Sequence, residues 1–321
     1  MRKEAKVENA VNLSNVDGYH GSRGNSGNYA FNGWSTRKYF TSDRFILLNE
    51  RFQRADGKPL QGYGLEIETE CNGITSTSVY AEVLQKIVFE HFPADLFKLQ
   101  RDGSLGGSTS AEAITQPMTQ AFVRNQYKNF KLMYNTYFDA FNVSCSASGR
   151  CGMHVNISNA CFGKTKAVQD DSIRKLLFFV NKFYTLSCAL FARNVRHTMY
   201  CACMSMYANK ETAKRADLTS FGSSHGVCYN LGHYLEGRVE LRLVGGQKDY
   251  GCFRNTMESV FWLVNNLRNV PWKDMENLER IFRGCNQYVY DRLKTKCHEA
   301  GAIDDATLSA IRATVKREEL L

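Results

Sequence analysis

The stretch Leu65-Glu66-Ile67-Glu68-Thr69-Glu70 constrains the fold more than any other in this chain of 321 residues. Its period of two predicts a β-strand, because only in a strand do successive side chains point to opposite faces. Glu66, Glu68 and Glu70 then line one face, while Leu65 and Ile67 enter a core on the other. Glutamate is depleted in strands, and carboxylates two residues apart on one face repel each other. A strand written this way needs positive charge over its acidic face. Two later stretches repeat the inversion: Met153-His154-Val155-Asn156-Ile157 puts His154 and Asn156 on its polar face, and Val239-Glu240-Leu241-Arg242-Leu243 puts Glu240 and Arg242 there. Each alone is an ordinary amphipathic strand with one wet face. The three together predict a carboxylate-lined surface, with a divalent cation as its economical counter-charge. Hard cations such as magnesium take carboxylate and phosphate oxygens, and a manganese-like site also admits a histidine.

Between these strands lie Asp102-Gly103-Ser104-Leu105 and Ala111-Glu112-Ala113-Ile114-Thr115-Gln116-Pro117. Asp-Gly is first of all a turn signal. Glu112 is a lone acid in an otherwise neutral strand, easier to explain as a ligand than as a solubilising charge. Strict alternation would put Ile114 on the face of Glu112, so the pattern predicts a bulge or a strand end between them.

The remaining elements define an α+β chain, with antiparallel strands and helices packed on one face. Residues 1–43 are set apart by a Gly-, Asn- and Ser-rich run from Asn15 to Trp34, read as a flexible arm or wrapper suited to oligomer or partner contacts. Ordered structure is expected from about Arg44, with Phe45–Leu48 and Tyr63–Thr69 joined as a hairpin around Ala55-Asp56-Gly57-Lys58-Pro59. A helix from about Ser78 to His91 and strands near Leu96–Arg101 and Ser110–Gln116 follow. Thr119 caps a long helix whose stripe is Phe130, Met133, Tyr134, Tyr137, Phe138 and Phe141. Asp170 or Asp171 opens another, burying Ile173, Leu176, Leu177, Val180 and Tyr184, and a third spans about Asp249 to Leu267. The chain thus reads as an arm (1–43), a catalytic domain (44–270) and a helical extension (271–321).

Composition removes several classes. No window approaches the roughly 18 apolar residues of a membrane span, and no basic start precedes an apolar leader. The eleven cysteines have no regular spacing, which predicts reduced thiols in a cytoplasmic setting. Cys201-x-Cys203 offers half of a zinc site without a matching pair. Gly163-Lys164-Thr165 lacks the glycine spacing of a phosphate loop. The net charge of +9 favours polyanions such as nucleotide phosphates, but the basic residues are scattered, so nucleic acid is not an expected partner.

Four motifs in order carry a resemblance: Gly64-Leu65-Glu66-Ile67-Glu68; Asp102-Gly103-Ser104-Leu105 with Glu112 and Pro117; Gly152-Met153-His154-Val155-Asn156; and Arg238-Val239-Glu240-Leu241-Arg242. Over roughly Gly62 to Asn266 the chain resembles the amidoligases, the carboxylate–amine ligase superfamily that includes glutamine synthetase and glutamate–cysteine ligase. The resemblance implies an antiparallel sheet curved into a funnel, with helices on its outer face, ATP entering one end and Mg2+ or Mn2+ in the middle. It implies Glu66, Glu68, Glu112, His154 and Glu240 as metal ligands, and Arg242 as the arginine that meets phosphate. Arg193 or Arg196 fills the place of a further catalytic arginine. Asp102, Ser104, Asn156 and Tyr200 take nucleotide or substrate positions. The implied reaction passes through an acyl phosphate to an amide, joining a small-molecule or peptide carboxylate to an amine. Where many amidoligases carry a second histidine, this chain has Asn156, and it has no counterpart of the ammonia-site loop, which favours an amino acid, peptide or protein amine.

Other classes fit less of the pattern. A metal-dependent nuclease or phosphatase would use clustered carboxylates, but aspartate normally leads in such sites. A glycosidase would need a sugar platform that the sequence does not supply. A family member recruited as a binding or assembly protein would have no reason to keep every ligand.

Overall fold

The computed structural model describes residues 38–42, 44–49, 53–71, 80, 83–93, 96–100, 110–145, 151–194, 201–222 and 226–316. The chain is mixed α+β with antiparallel strand pairing, as expected. It divides into two units. The first runs to Val155 and takes in Gly246–Tyr250; the second holds Asn156–Gly245 and everything from Gly251 onward. The segment after residue 270 falls in the same unit as Asn156–Gly245. Most of the expected arm lies outside the described residues, but its last part, Lys38–Phe40, is already strand β1, with Tyr39 and Phe40 each 2% exposed.

In the first unit β1 pairs antiparallel with β2 (Phe45–Leu47), in the register Lys38↔Leu47. This corrects the expected hairpin. The Asp56-Gly57 turn does form, with Gly57 at φ 73°, but it closes a short Leu48↔Arg54 bridge. Phe45–Leu47 has no place beside β3 (Tyr63–Cys71), because β3 already has a neighbour on each side: β5 (Ser110–Thr115) on one and β7 (Met153–Ser158) on the other. Beyond β5 lies β4 (Phe97–Gln100), and β6 (Val143–Ser144) pairs with the end of β3 at Glu70 and Cys71.

The apolar face of these strands is the core that the alternation predicted. Leu65, Ile67, Leu99, Ala111 and Ala113 are all at most 1% exposed. Phe97 of β4 stacks on Phe89 with centroids 4.2 Å apart and meets Phe92 edge-on, and Phe92 in turn meets Phe130 of the helix Tyr127–Leu132 at 5.0 Å. Each such buried ring contributes about 1.5–3 kcal/mol. Thr119 is the predicted cap, its Oγ1 accepting from Phe122 N at 3.0 Å. The expected long helix is interrupted at Gln126, passes through a π-type turn over Met133–Tyr137 and ends with the short α-helical segment Phe138–Ala140. Of the helix expected over Ser78–His91, the described part is a π-type turn, Leu84–Val88.

In the second unit the helix Lys166–Lys182 buries Ile173, Leu176, Leu177 and Val180 as expected, but starts earlier than Asp170 and ends before Tyr184, which opens a separate helix and is not buried. Thr165 is its cap, with Oγ1 accepting from Val168 N. Gly163-Lys164-Thr165 is thus a helix entry, which a hydroxyl cap explains without any phosphate. The helix Tyr250–Asn266 buries Phe253, Met257, Val260, Phe261 and Val264. Among the described residues, no helix is long and apolar enough to cross a membrane.

Asn181, 3% exposed near the end of Lys166–Lys182, is the main polar joint of this unit. Its Nδ2 donates to Leu177 O at 2.7 Å, and its Oδ1 accepts from Met204 N at 2.6 Å. Truncation strands a buried amide, so Asn181→Ala should lower stability by about 2–3 kcal/mol in urea titration. A change below the error of the titration would show that the joint carries no stability.

A candidate metal centre on the acidic strand face

The strand register sets this face. In the antiparallel β3–β5 pair Glu68 lies directly opposite Glu112, and Glu66 opposite Ile114. On the far side of β5, Lys98 of β4 is also opposite Ile114. Directly opposed residues share a face, so Glu66, Glu68, Glu112, Ile114 and Lys98 all belong to one surface. The bulge expected between Glu112 and Ile114 is absent: the register runs unbroken through both pairs, and Ile114 sits between Glu66 and Lys98, half-buried. An isoleucine tolerates that place because Glu66 and Lys98 flank it with long aliphatic stems.

Glu68 and Glu112 are 7% and 3% exposed, and His154 of β7 is 7% exposed. Each offers one ligand atom, and these atoms all lie within 4.8 Å of one another. Two carboxylates at that separation repel by about 3–4 kcal/mol at an effective dielectric of 20. Directly opposed, buried like charges are what a sheet avoids unless a cation sits between them.

Hydrogen bonds hold the cluster. Gly152 N donates to Glu68 Oε2, and Gly152 O accepts from Glu68 N at 3.1 Å, which fixes the carboxylate from its own neighbouring strand. His154 Nδ1 is 3.2 Å from Glu66 Oε2. A carboxylate accepts, so Nδ1 is the donor of this pair, and with a metal bound the Nε2 lone pair would be the ligand. Nε2 is 3.7 Å from Glu68 Oε1. That is longer than a hydrogen bond, and it suits two ligands of one octahedral ion, which stand about 3–4 Å apart. The donor set of two carboxylates and one neutral imidazole fits magnesium or, better, manganese.

Lys98 is the residue that sequence reasoning missed. Burial lowers its pKa, while Glu112 and then Glu66 raise it, the effect of an ammonium on the same face as the two carboxylates. The signal was available in Phe97-Lys98-Leu99-Gln100, whose alternation puts Lys98 on the polar face. What the sequence lacks is the register that brings this face beside Glu112.

Glu240, Arg242, Asn156, Arg193 and Asn230 belong to the second unit. There β9 (Arg238–Leu241) pairs antiparallel with β8 (Tyr229–Asn230). Glu240 is 4% exposed, accepting from Asn230 Nδ2 on one oxygen at 2.9 Å and from Arg242 Nη1 on the other at 2.6 Å. Asn230 was not singled out by sequence, since an asparagine at a strand end reads as turn chemistry. Arg242 N and Leu243 N both donate to Cys228 O, a bulge that ends the strand one residue after Leu241. Arg193, one of the two candidates for a further catalytic arginine, fastens this bulge: Nη2 donates to Arg242 O and Val244 O at 3.1 and 2.7 Å, and Nε to Leu243 O. Asn156 Oδ1 accepts from Arg238 Nη1. Asp102, Ser104, Arg196 and Tyr200 lie outside the described residues.

All eleven cysteines are free thiols. Among the described residues, no metal-ligating cluster contains a cysteine. No protein-family model matches the chain, and no curated protein is significantly similar to it.

Proposed function

We propose that this chain is an ATP-dependent carboxylate–amine ligase whose divalent cation is held by Glu68, Glu112 and His154. The observation that carries this reading is the buried convergence of two opposed carboxylates and one oriented imidazole on the polar face of a sheet. When bound, Mg2+ or Mn2+ supplies neutralisation of phosphate charge during phosphoryl transfer. Around it, Glu66 accepts from His154 Nδ1 and keeps the ring in one tautomer. Gly152 N holds Glu68 in place. In the reaction ATP's γ-phosphoryl group passes to a carboxylate, and an amine then displaces phosphate to leave an amide and ADP. No enzyme nucleophile is needed.

The assignment of Glu240 as a further ligand and of Arg242 to phosphate rests on the motif order. Arg242 suits that role because its planar fork binds phosphate in pairs of hydrogen bonds, and Glu240 holds it at one nitrogen. Arg193 serves as its support, through the carbonyls of Arg242 to Val244. Asp102, Ser104, Arg196 and Tyr200 take nucleotide and substrate roles by resemblance alone, and so do the funnel form of the sheet and the cytoplasmic setting. The substrates are a small-molecule or peptide acid and an amine other than ammonia, and the N-terminal arm serves oligomer or partner contacts.

Calorimetric titration of ATP with and without magnesium tests the reading, followed by ATP hydrolysis assayed against acid and amine pairs. Magnesium-dependent binding and acid- and amine-dependent ADP release are the expected results. Hydrolysis indifferent to every added acid and amine would sink the ligase and favour a nuclease or phosphatase. A third result concerns Lys98: Lys98→Met removes a competing cation, so manganese should bind about 3- to 10-fold more tightly. Weaker binding in that variant would count against a cation between Glu68 and Glu112.

A further inference from the structure

The proposed ligase chemistry uses none of the eleven cysteines. Two of them stand side by side in the second unit. Ala202 and Val227 form an isolated parallel bridge, with Ala202 N donating to Gly226 O at 2.8 Å and Cys228 N to Ala202 O at 3.0 Å. Cys203 and Cys228 are the next residues along these two chains. Adjacent strands run about 4.8 Å apart, inside the Cα separation of roughly 4.4–6.8 Å that a disulfide requires. The side chains also turn to the same place: Cys203 Sγ is 3.5 Å and Cys228 Sγ 3.4 Å from the single atom Asn181 Oδ1. Their access to solvent differs. Cys228 is buried, whereas Cys203 is half-buried, one of only two cysteines that are not fully enclosed. An accessible thiol against a buried one is the arrangement of an attacking and a resolving cysteine.

We propose that Cys203 and Cys228 are an oxidation site, converted to a disulfide by hydroperoxides. Cys203 Sγ attacks the terminal peroxide oxygen and the O–O bond breaks. The alcohol, or water from hydrogen peroxide, departs with the thiol proton and leaves a sulfenic acid. Cys228 Sγ then attacks Cys203 Sγ: the S–S bond forms, the S–O bond breaks, and hydroxide leaves with the Cys228 proton as water. The two sulfurs lose two electrons in all, and the peroxide gains them. Burial holds the Cys203 thiol above its usual value and pushes Cys228 further up, so the reaction is slow beside that of an activated thiol. The bond closes next to the β8–β9 pair, since Cys228 O accepts both amides of the Arg242–Leu243 bulge.

The experiment exposes the full chain to hydrogen peroxide at mildly alkaline pH, then alkylates it and weighs it. The expected result is nine alkylated thiols, two fewer than the eleven of the untreated chain, with the oxidised chain lighter by two hydrogens, about 2 Da, before alkylation, both reversed by dithiothreitol. Peptide fragmentation should then join Cys203, as distinct from Cys201, to Cys228. Cys228→Ser should stop at the sulfenic acid, captured by a cyclic dione at Cys203, and Cys203→Ser should give neither product. Should Cys228→Ser fail to fold, the half-exposed Cys203→Ser still decides, because it must abolish the mass loss. A link from Cys201 or Cys188 instead, or oxygen addition with all eleven thiols still open to alkylation, would overturn the proposal.

Discussion

Glu112→Gln should yield a protein that binds manganese at least ~100-fold more weakly yet melts at a higher temperature in metal-free buffer. The two effects have one cause. Glu112 lies directly opposite Glu68, and both are buried. Removing one charge relieves the cross-strand repulsion of about 3–4 kcal/mol, less the attraction lost at Lys98, which should raise the melting temperature by about 5 °C or more. Lys98 loses an attraction at the same time, but it is half-exposed and stands diagonally across the ladder, so the opposed Glu68 dominates. Glu112 is a cleaner choice than Glu68, whose carboxylate also holds Gly152 N. Saturating manganese should reverse the order of melting, because only the parent protein gains binding energy. Calorimetry and paired melts with EDTA or manganese check both halves. A variant that melts lower without metal and binds manganese normally would mean that Glu112 is structural.

Gly246→Ala should abolish folding at ordinary temperature. A Cβ at Gly246 would sit 1.4 Å from Cys145 O and 3.0 Å from Cys151 O, both backbone atoms that cannot swing away. Only the bare α-carbon of glycine permits that approach. The expected loss exceeds about 4 kcal/mol, the range of backbone overlap and severe core disruption. Gly222→Ala is the control: it is exposed, has nothing within 4 Å of its Cβ position, and should change stability by less than about 0.5 kcal/mol. Urea titration of both variants separates the cases, and a Gly246→Ala protein of near-parental stability would show that the two carbonyls can move.

The strands were legible because their message is local. The period of two in Leu65–Glu70 shows which side chains face the core, and the flanking breakers bound β4 and β5 to within a residue or two. Thr119 was legible for the same reason, since a cap acts on the turn that follows it. Register was not legible. That Glu68 opposes Glu112, that Ile114 stays in line without a bulge, and that Lys98 shares the face of the carboxylates are facts about residues far apart in sequence. The pairing of Phe45–Leu47 failed for a related reason: its partner, Lys38–Phe40, adjoins a Gly-rich run whose composition masks a strand. The carbonyl contacts of Arg193 were not legible either, because a guanidinium that binds backbone carbonyls looks, in sequence, like one that binds phosphate.

The division of the chain has a consequence for its synthesis. The first unit is interrupted after Val155 and completed only by Gly246–Tyr250. Those late residues matter to it: Tyr250 N donates to Asn135 Oδ1, its ring meets Tyr127, and Gly246 fits beneath Cys145 O. A nascent chain emerging from the ribosome therefore cannot seal its N-terminal unit when that unit's own sequence has been made. It must wait through the ninety intervening residues of the second unit, Asn156–Gly245, before Gly246–Tyr250 are made.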